Sequence, residues 1–228
     1  MTMSRSNYLF LFFLFFLFLF SQVSIAGVVV GGTRVVYDGS KREASLSVKN
    51  PEKKVPYLIQ SWIEKDNPQD AGKAPFIITP PLFRLDAGQE NLLRIMRVGG
   101  NLPDNRESVF WLNVKSIPST EKSDQNQLQI TVRTRIKLFY RPASLKGEKA
   151  EEAYKSLVVK KVGDSVQINN PTPFYISFYS LKINSKEIDA PMIAPGETQN
   201  YPVSGAGKAT WQAINDFGGI TSSASATF

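Results

Sequence analysis

Short runs of alternating apolar and polar residues dominate the chain, and few windows hold apolar residues at helical spacing. Arg34 to Tyr37 reads as a first strand, stopped by Asp38-Gly39. Ala44, Leu46 and Val48 alternate with Ser45, Ser47 and Lys49. Tyr57 to Ile63 is apolar on both parities, which predicts a central strand with Trp62 in the core; Trp111 in Val109–Val114 is expected there too. Phe76-Ile77-Ile78 runs into Thr79-Pro80-Pro81, a break or an edge, because proline cannot donate to a ladder. Leu92 to Val98 is a further strand, and Gln127 to Tyr140 is the longest. Seven strands at this spacing predict an immunoglobulin-like sandwich.

Arg141 to Glu148 reads as a linker, and shorter strands follow over Ser156–Lys161, Ser165–Ile168, Phe174–Leu181, Gln199–Val203, Lys208–Ile214 and Ser222–Phe228. The expectation is all-β: two sandwich domains, residues 27–143 and 144–228, behind a leader of residues 1–26. That leader has Arg5, an uncharged run from Leu9 to Phe20, and Ser24-Ile25-Ala26, which places small residues for cleavage after Ala26. The apolar run is shorter than the roughly 17–25 residues a membrane span needs. A signal peptide and export follow as the expectation.

Composition narrows the chemistry. The chain of 228 residues has no Cys and no His. Disulfides, a Ser-His-Asp triad, a Cys nucleophile and the usual zinc sites are thereby excluded, and no cofactor or metal is expected. Carboxylate pairs such as Asp66/Asp70 and Glu151/Glu152 are expected in solvated loops rather than at a catalytic centre. Gly99-Gly100 and Gly218-Gly219 read as turn glycines. The net charge of +7 suits acidic partners, but no run of like charge suggests a nucleic-acid tail.

In the longest strand, Leu128, Ile130, Val132, Thr134, Ile136 and Leu138 share one parity. Arg133, Arg135, Lys137 and Phe139 share the other. Alternation alone fits an ordinary amphipathic strand with a solvated basic stripe. The functional alternative is an exposed edge that lends backbone hydrogen bonds and apolar side chains to another chain.

Seven stretches carry a family resemblance: TRVVYDG (33–39), PYLIQSWIE (56–64), TPPLFRL (79–85), NRESVFWLNVKSIP (105–118), LQI with RIKLFYRP (128–130, 135–142), NPTPFY (170–175) and INDFGG (214–219). On these the chain resembles the periplasmic PapD-like chaperones of chaperone–usher pilus assembly. The resemblance implies two immunoglobulin-like domains at an angle with a cleft between them. It implies that Arg34 and Lys137 anchor the C-terminal carboxylate of a pilus subunit, and that Leu128, Ile130 and Val132 enter the subunit's groove as a donated strand. Glu107, Arg141 and Asp216 match an interdomain charge network. Delivery to an outer-membrane usher is also implied.

The segment Ser116–Gln127 is short for the family, which points to its short-loop subgroup. Lys137 differs in parity from Leu128, Ile130 and Val132, so a bulge or twist is expected between them. An apolar edge without a client is expected to self-associate weakly. From other classes, a sugar-binding adhesin needs clustered exposed aromatics, and a pilus subunit would have a single domain.

Overall fold

The computed structural model describes residues 27–67, 69, 72–120, 128–190 and 192–228. The leader (1–26), Asp70 and most of the expected loop (121–127) lie outside the described residues.

The first domain is a two-sheet sandwich. One sheet holds β1 (Val29–Val30), β3 (Glu43–Lys49), β7 (Glu90–Arg97) and β5 (Phe76–Thr79), in that spatial order. The other holds β2 (Arg34–Asp38), β9 (Val132–Arg141), β8 (Ser108–Pro118), β4 (Tyr57–Lys65) and β6 (Leu82–Leu85). Leu46, Val48, Leu93 and Ile95 of one sheet pack against Ile59, Leu112, Ile136 and Leu138 of the other in one buried cluster. Pro80 and Pro81 form the corner between β5 and β6, so the chain changes sheets where proline would interrupt a ladder.

Beyond Arg141 the chain makes two 3-10 helices, Ala143–Leu145 and Ala150–Ser156. The segment expected as a bare linker packs Leu145 with Ala153 and Phe174. The second domain pairs one sheet of β10 (Val158–Val162), β11 (Ser165–Asn169) and β14 (Thr198–Pro202) with another of β13 (Lys186–Glu187), β12 (Phe178–Ile183), β15 (Lys208–Ala213) and β16 (Ala224–Thr227). Its own core gathers Ile168, Leu181, Ile193 and Trp211. The fold is all-β: two immunoglobulin-like sandwiches, each with its own hydrophobic cluster.

Three expectations are corrected. Trp62 and Trp111 are not in the core. They point outward from β4 and β8, where the guanidinium carbons of Arg133 and Arg135 stack on them at 5.0 and 4.0 Å. The longest strand is β8, not Gln127–Tyr140: β9 begins only at Val132, where its pairing with β8 starts at Ser116↔Val132, although β8 itself runs on to Pro118. Finally, the β8–β9 register runs without a shift from Ser116↔Val132 to Ser108↔Tyr140, so β9 has no bulge.

Candidate functional site

Strict alternation along β9 divides its side chains into two stripes with different surroundings. The even stripe continues the core: Ile136, Leu138 and Tyr140 are buried between the sheets. Upstream the same stripe overhangs the sandwich, leaving Leu128, Ile130 and Val132 89%, 68% and 55% exposed. The odd stripe begins with Arg133 and Arg135 over the tryptophans and continues to Lys137, Phe139 and Arg141, which face the second domain. The opposite parity of Lys137 and the overhanging apolar residues is therefore kept, with each set serving a different side of the strand.

The backbone edge of β9 is divided as well. On one side β8 covers it throughout, while on the other β2 runs parallel and covers only Lys137–Arg141, starting at Arg34↔Lys137. Upstream of Lys137, among the described residues, that edge has no strand partner. Arg34 and Lys137, about a hundred residues apart in the chain, become neighbours at the point where the covered edge gives way to the open one.

Both cations are held in the cleft by the second domain. Arg34 donates from Nη1 to the carbonyl of Ile214 at 2.9 Å and lies over the Phe139 ring at 5.6 Å. Its Nε is the one buried side-chain nitrogen or oxygen among the described residues without a partner. Lys137 donates from Nζ to Ser177 Oγ at 3.2 Å. Burial pulls the Lys137 ammonium below the usual lysine range, and Arg34 beside it acts in the same direction, against the field of Asp66. Burial likewise lowers Arg34, opposed by Asp216 and Glu107. Two partly desolvated cations at the end of an open strand edge have the chemistry to take an anion.

Deeper in the interface, Arg141 joins the domains. Its Nε donates to Glu107 Oε1 at 2.8 Å, and Nη1 and Nη2 donate to the two carboxylate oxygens of Asp216 at 2.8 and 2.9 Å. Glu107, 3% exposed, also accepts from the Tyr175 amide at 2.8 Å, and its own amide donates to the Pro173 carbonyl. Burial raises the Glu107 carboxyl, against Arg141 and the Tyr175 amide; burial also opposes the Arg141 charge, but Asp216 and Glu107 outweigh it. The turn carrying Asp216 is rigid: Asn215 Oδ1 accepts from the amides of Phe217 and Gly219, and Gly218 adopts φ +84.

The structure thus brings Glu107, Arg141 and Asp216 into one network and Arg34 next to Lys137, and sets Leu128, Ile130 and Val132 along one exposed stripe. The other carboxylates lie elsewhere. Asp66 accepts from the Trp111 indole, while Glu151 and Glu152 are exposed on the second 3-10 helix, with Glu152 paired to Lys155. Ser177 and the Ile214 carbonyl were not foreseen. A serine between Ile176 and Phe178 in an apolar run is the signal that could have marked the first.

Comparison with known proteins decides the family. Residues 27–146 match the family described as pili and flagellar-assembly chaperone, PapD N-terminal domain, and residues 152–225 match the pili assembly chaperone PapD, C-terminal domain. The chain belongs to the PapD-like pilus-assembly chaperones. It is 46% identical over 203 residues to the probable fimbrial chaperone LpfB of Escherichia coli O157:H7, covering 86% of each. It is 39% identical over 201 residues to the chaperone FimC of Escherichia coli K12, covering 86% of this chain and 82% of that protein. Among solved structures, it matches one of the Salmonella enterica SafA pilin in complex with the SafB chaperone with a TM-score of 0.79 and 31% identity, over 91% of this chain and 99% of the matched one. The family is one of chaperones rather than enzymes.

Proposed function

We propose that this PapD-like chaperone captures pilus subunits in the periplasm by supplying a strand edge and anchoring the subunit's terminal carboxylate. The observation that carries the reading is the junction at Arg34↔Lys137, where the open edge of β9 meets two buried cations. A client strand lying on the open edge in line with β2, and running parallel to β9, would present its C-terminus at that point. Only a chain end carries a backbone carboxylate, so the two cations set the register of the incoming strand. Leu128, Ile130 and Val132 would then enter an apolar groove of the client, each contributing roughly 1.5–3 kcal/mol on burial. No nucleotide is needed in this scheme, because client binding itself provides the free energy.

The Glu107–Arg141–Asp216 network is proposed to set the pose of the two domains and hence the spacing of the cleft. Delivery to an outer-membrane usher, export by the leader and membership of the short-loop subgroup belong to the same reading. Without a client, the exposed stripe of residues 128–132 is proposed to mediate weak self-association. The half-buried Trp62 and Trp111 do not favour a sugar-binding alternative, since guanidinium groups occupy their faces.

Refolding tests this reading. A denatured pilin of the host is diluted into buffer with or without the mature chain. The expected outcome is soluble pilin in a one-to-one complex with the chain and aggregated pilin without it. Equal aggregation in both would refute the proposal.

A further inference from the structure

Ser177 lies just ahead of β12 in the second domain, 2% exposed, between the isolated bridge at Ile176 and the first residue of the strand. An ammonium has only donors, so in its contact with Lys137 Nζ at 3.2 Å the Ser177 hydroxyl accepts. That bond leaves the hydroxyl proton without an acceptor among the described residues. A buried donor with no acceptor carries a desolvation cost and is rarely left so. The Arg34 guanidinium shows the same feature, a buried Nε with no partner. The two are coupled through the second domain: Arg34 Nη1 donates to the Ile214 carbonyl, and the Ile214 amide donates to the Ser177 carbonyl at 2.9 Å. The nearby carboxylates are otherwise engaged, Asp216 and Glu107 with Arg141 and Asp66 with the Trp111 indole.

We infer that Ser177 is a third anchor for the client's terminal carboxylate, donating its hydroxyl proton to one carboxylate oxygen while accepting from Lys137. The inference rests on the carboxylate-anchoring reading above and extends it across the cleft: the first domain supplies the charges, and the second supplies a neutral donor that fixes their direction. An oxygen bound by Lys137 and Ser177, with the other facing Arg34, uses the free capacity of all three side chains. It also makes capture sensitive to the pose of the second domain.

The test uses the mature full chain and a synthetic peptide carrying the C-terminal strand of the pilin captured by the wild type, made with a free carboxylate and as the amide. The wild type is expected to prefer the acid form. Ser177→Ala is expected to weaken binding of the acid peptide about ten-fold and leave the amide peptide unchanged, with Ser177→Thr restoring the preference. In the wild type, the Ser177 Cβ resonance is expected to shift with the acid peptide and not with the amide, a readout that needs no variant to fold. If Ser177→Ala retains the full preference, or weakens both peptides equally, or the resonance responds to both alike, Ser177 is no anchor. A wild type that ignores the difference between acid and amide, as Lys137→Ala should, overturns the underlying reading and this inference with it.

Discussion

Lys137 pays for its position: burial and the Arg34 charge both disfavour its ammonium form. A client carboxylate reverses that balance, so pH acts on the free chain and on the complex with opposite sign. In the free chain the folded-state pKa lies below the unfolded value, so the folded state releases this proton first. Stability from this group therefore rises as pH rises through the lowered pKa. The complex needs the ammonium, so its affinity is full below that pKa and falls above it. Peptide binding followed against pH should decline before the ordinary lysine value of about 10.4 is reached. A decline confined to pH above that value would contradict the desolvated site. Arg34 keeps its charge across this range.

At the scale of elements, β9 is one strand with two tasks, because its core stripe outruns its sandwich. The overhanging side chains touch little of their own domain, so replacing them should separate binding from stability. Ile130→Asp is expected to leave the unfolding free energy within about 0.5 kcal/mol, as for other exposed positions. The same substitution should weaken client capture by roughly ten-fold or more, the equivalent of losing the burial of one such side chain. It should also abolish the proposed self-association, as followed by sedimentation. Equal client affinity for wild type and variant would remove residues 128–132 from the interface.

This strand also shows what alternation reveals and what it hides. The shared parity of Leu128–Leu138 and the alternation of Leu46 and Val48 follow from local pattern, and Leu46, Val48, Ile136 and Leu138 face the sheet interior. The start of β9 does not follow from that pattern, because it depends on where the pairing with β8 begins, at Ser116↔Val132. Trp62 was misplaced for a related reason: an apolar side chain on the outer face can be covered by an arginine from a neighbouring strand, a pairing no single strand encodes. The residues matched to the family lie together in the structure, Arg34 beside Lys137 and Arg141 with Glu107 and Asp216. Ser177 and the Ile214 carbonyl depend on how the second domain closes on the first, and that is a property of the tertiary structure alone.

In the whole molecule, Arg141 ties the two sandwiches through unequal partners. Glu107 is almost fully buried, while the Asp216 side chain is 37% exposed. Removing the arginine strands a buried carboxylate, whereas removing Asp216 leaves the Arg141–Glu107 pair intact. Arg141→Ala is thus expected to cost about 3 kcal/mol in urea unfolding, and Asp216→Ala about 1 kcal/mol. The larger loss should come with weaker client capture, since Arg34 and Lys137 both hydrogen-bond to the second domain. Equal costs for the two substitutions would place the weight of the interface elsewhere.

Strand donation and carboxylate anchoring meet most directly in one copurification. The tagged mature chain is expressed in the periplasm of its native host beside Lys137→Ala and Arg34→Ala, and the proteins retained with each are identified by mass spectrometry. The account predicts a pilin held by the wild type and lost from both variants, with all three chains folded alike. A pilin retained at wild-type yield by Lys137→Ala would contradict it.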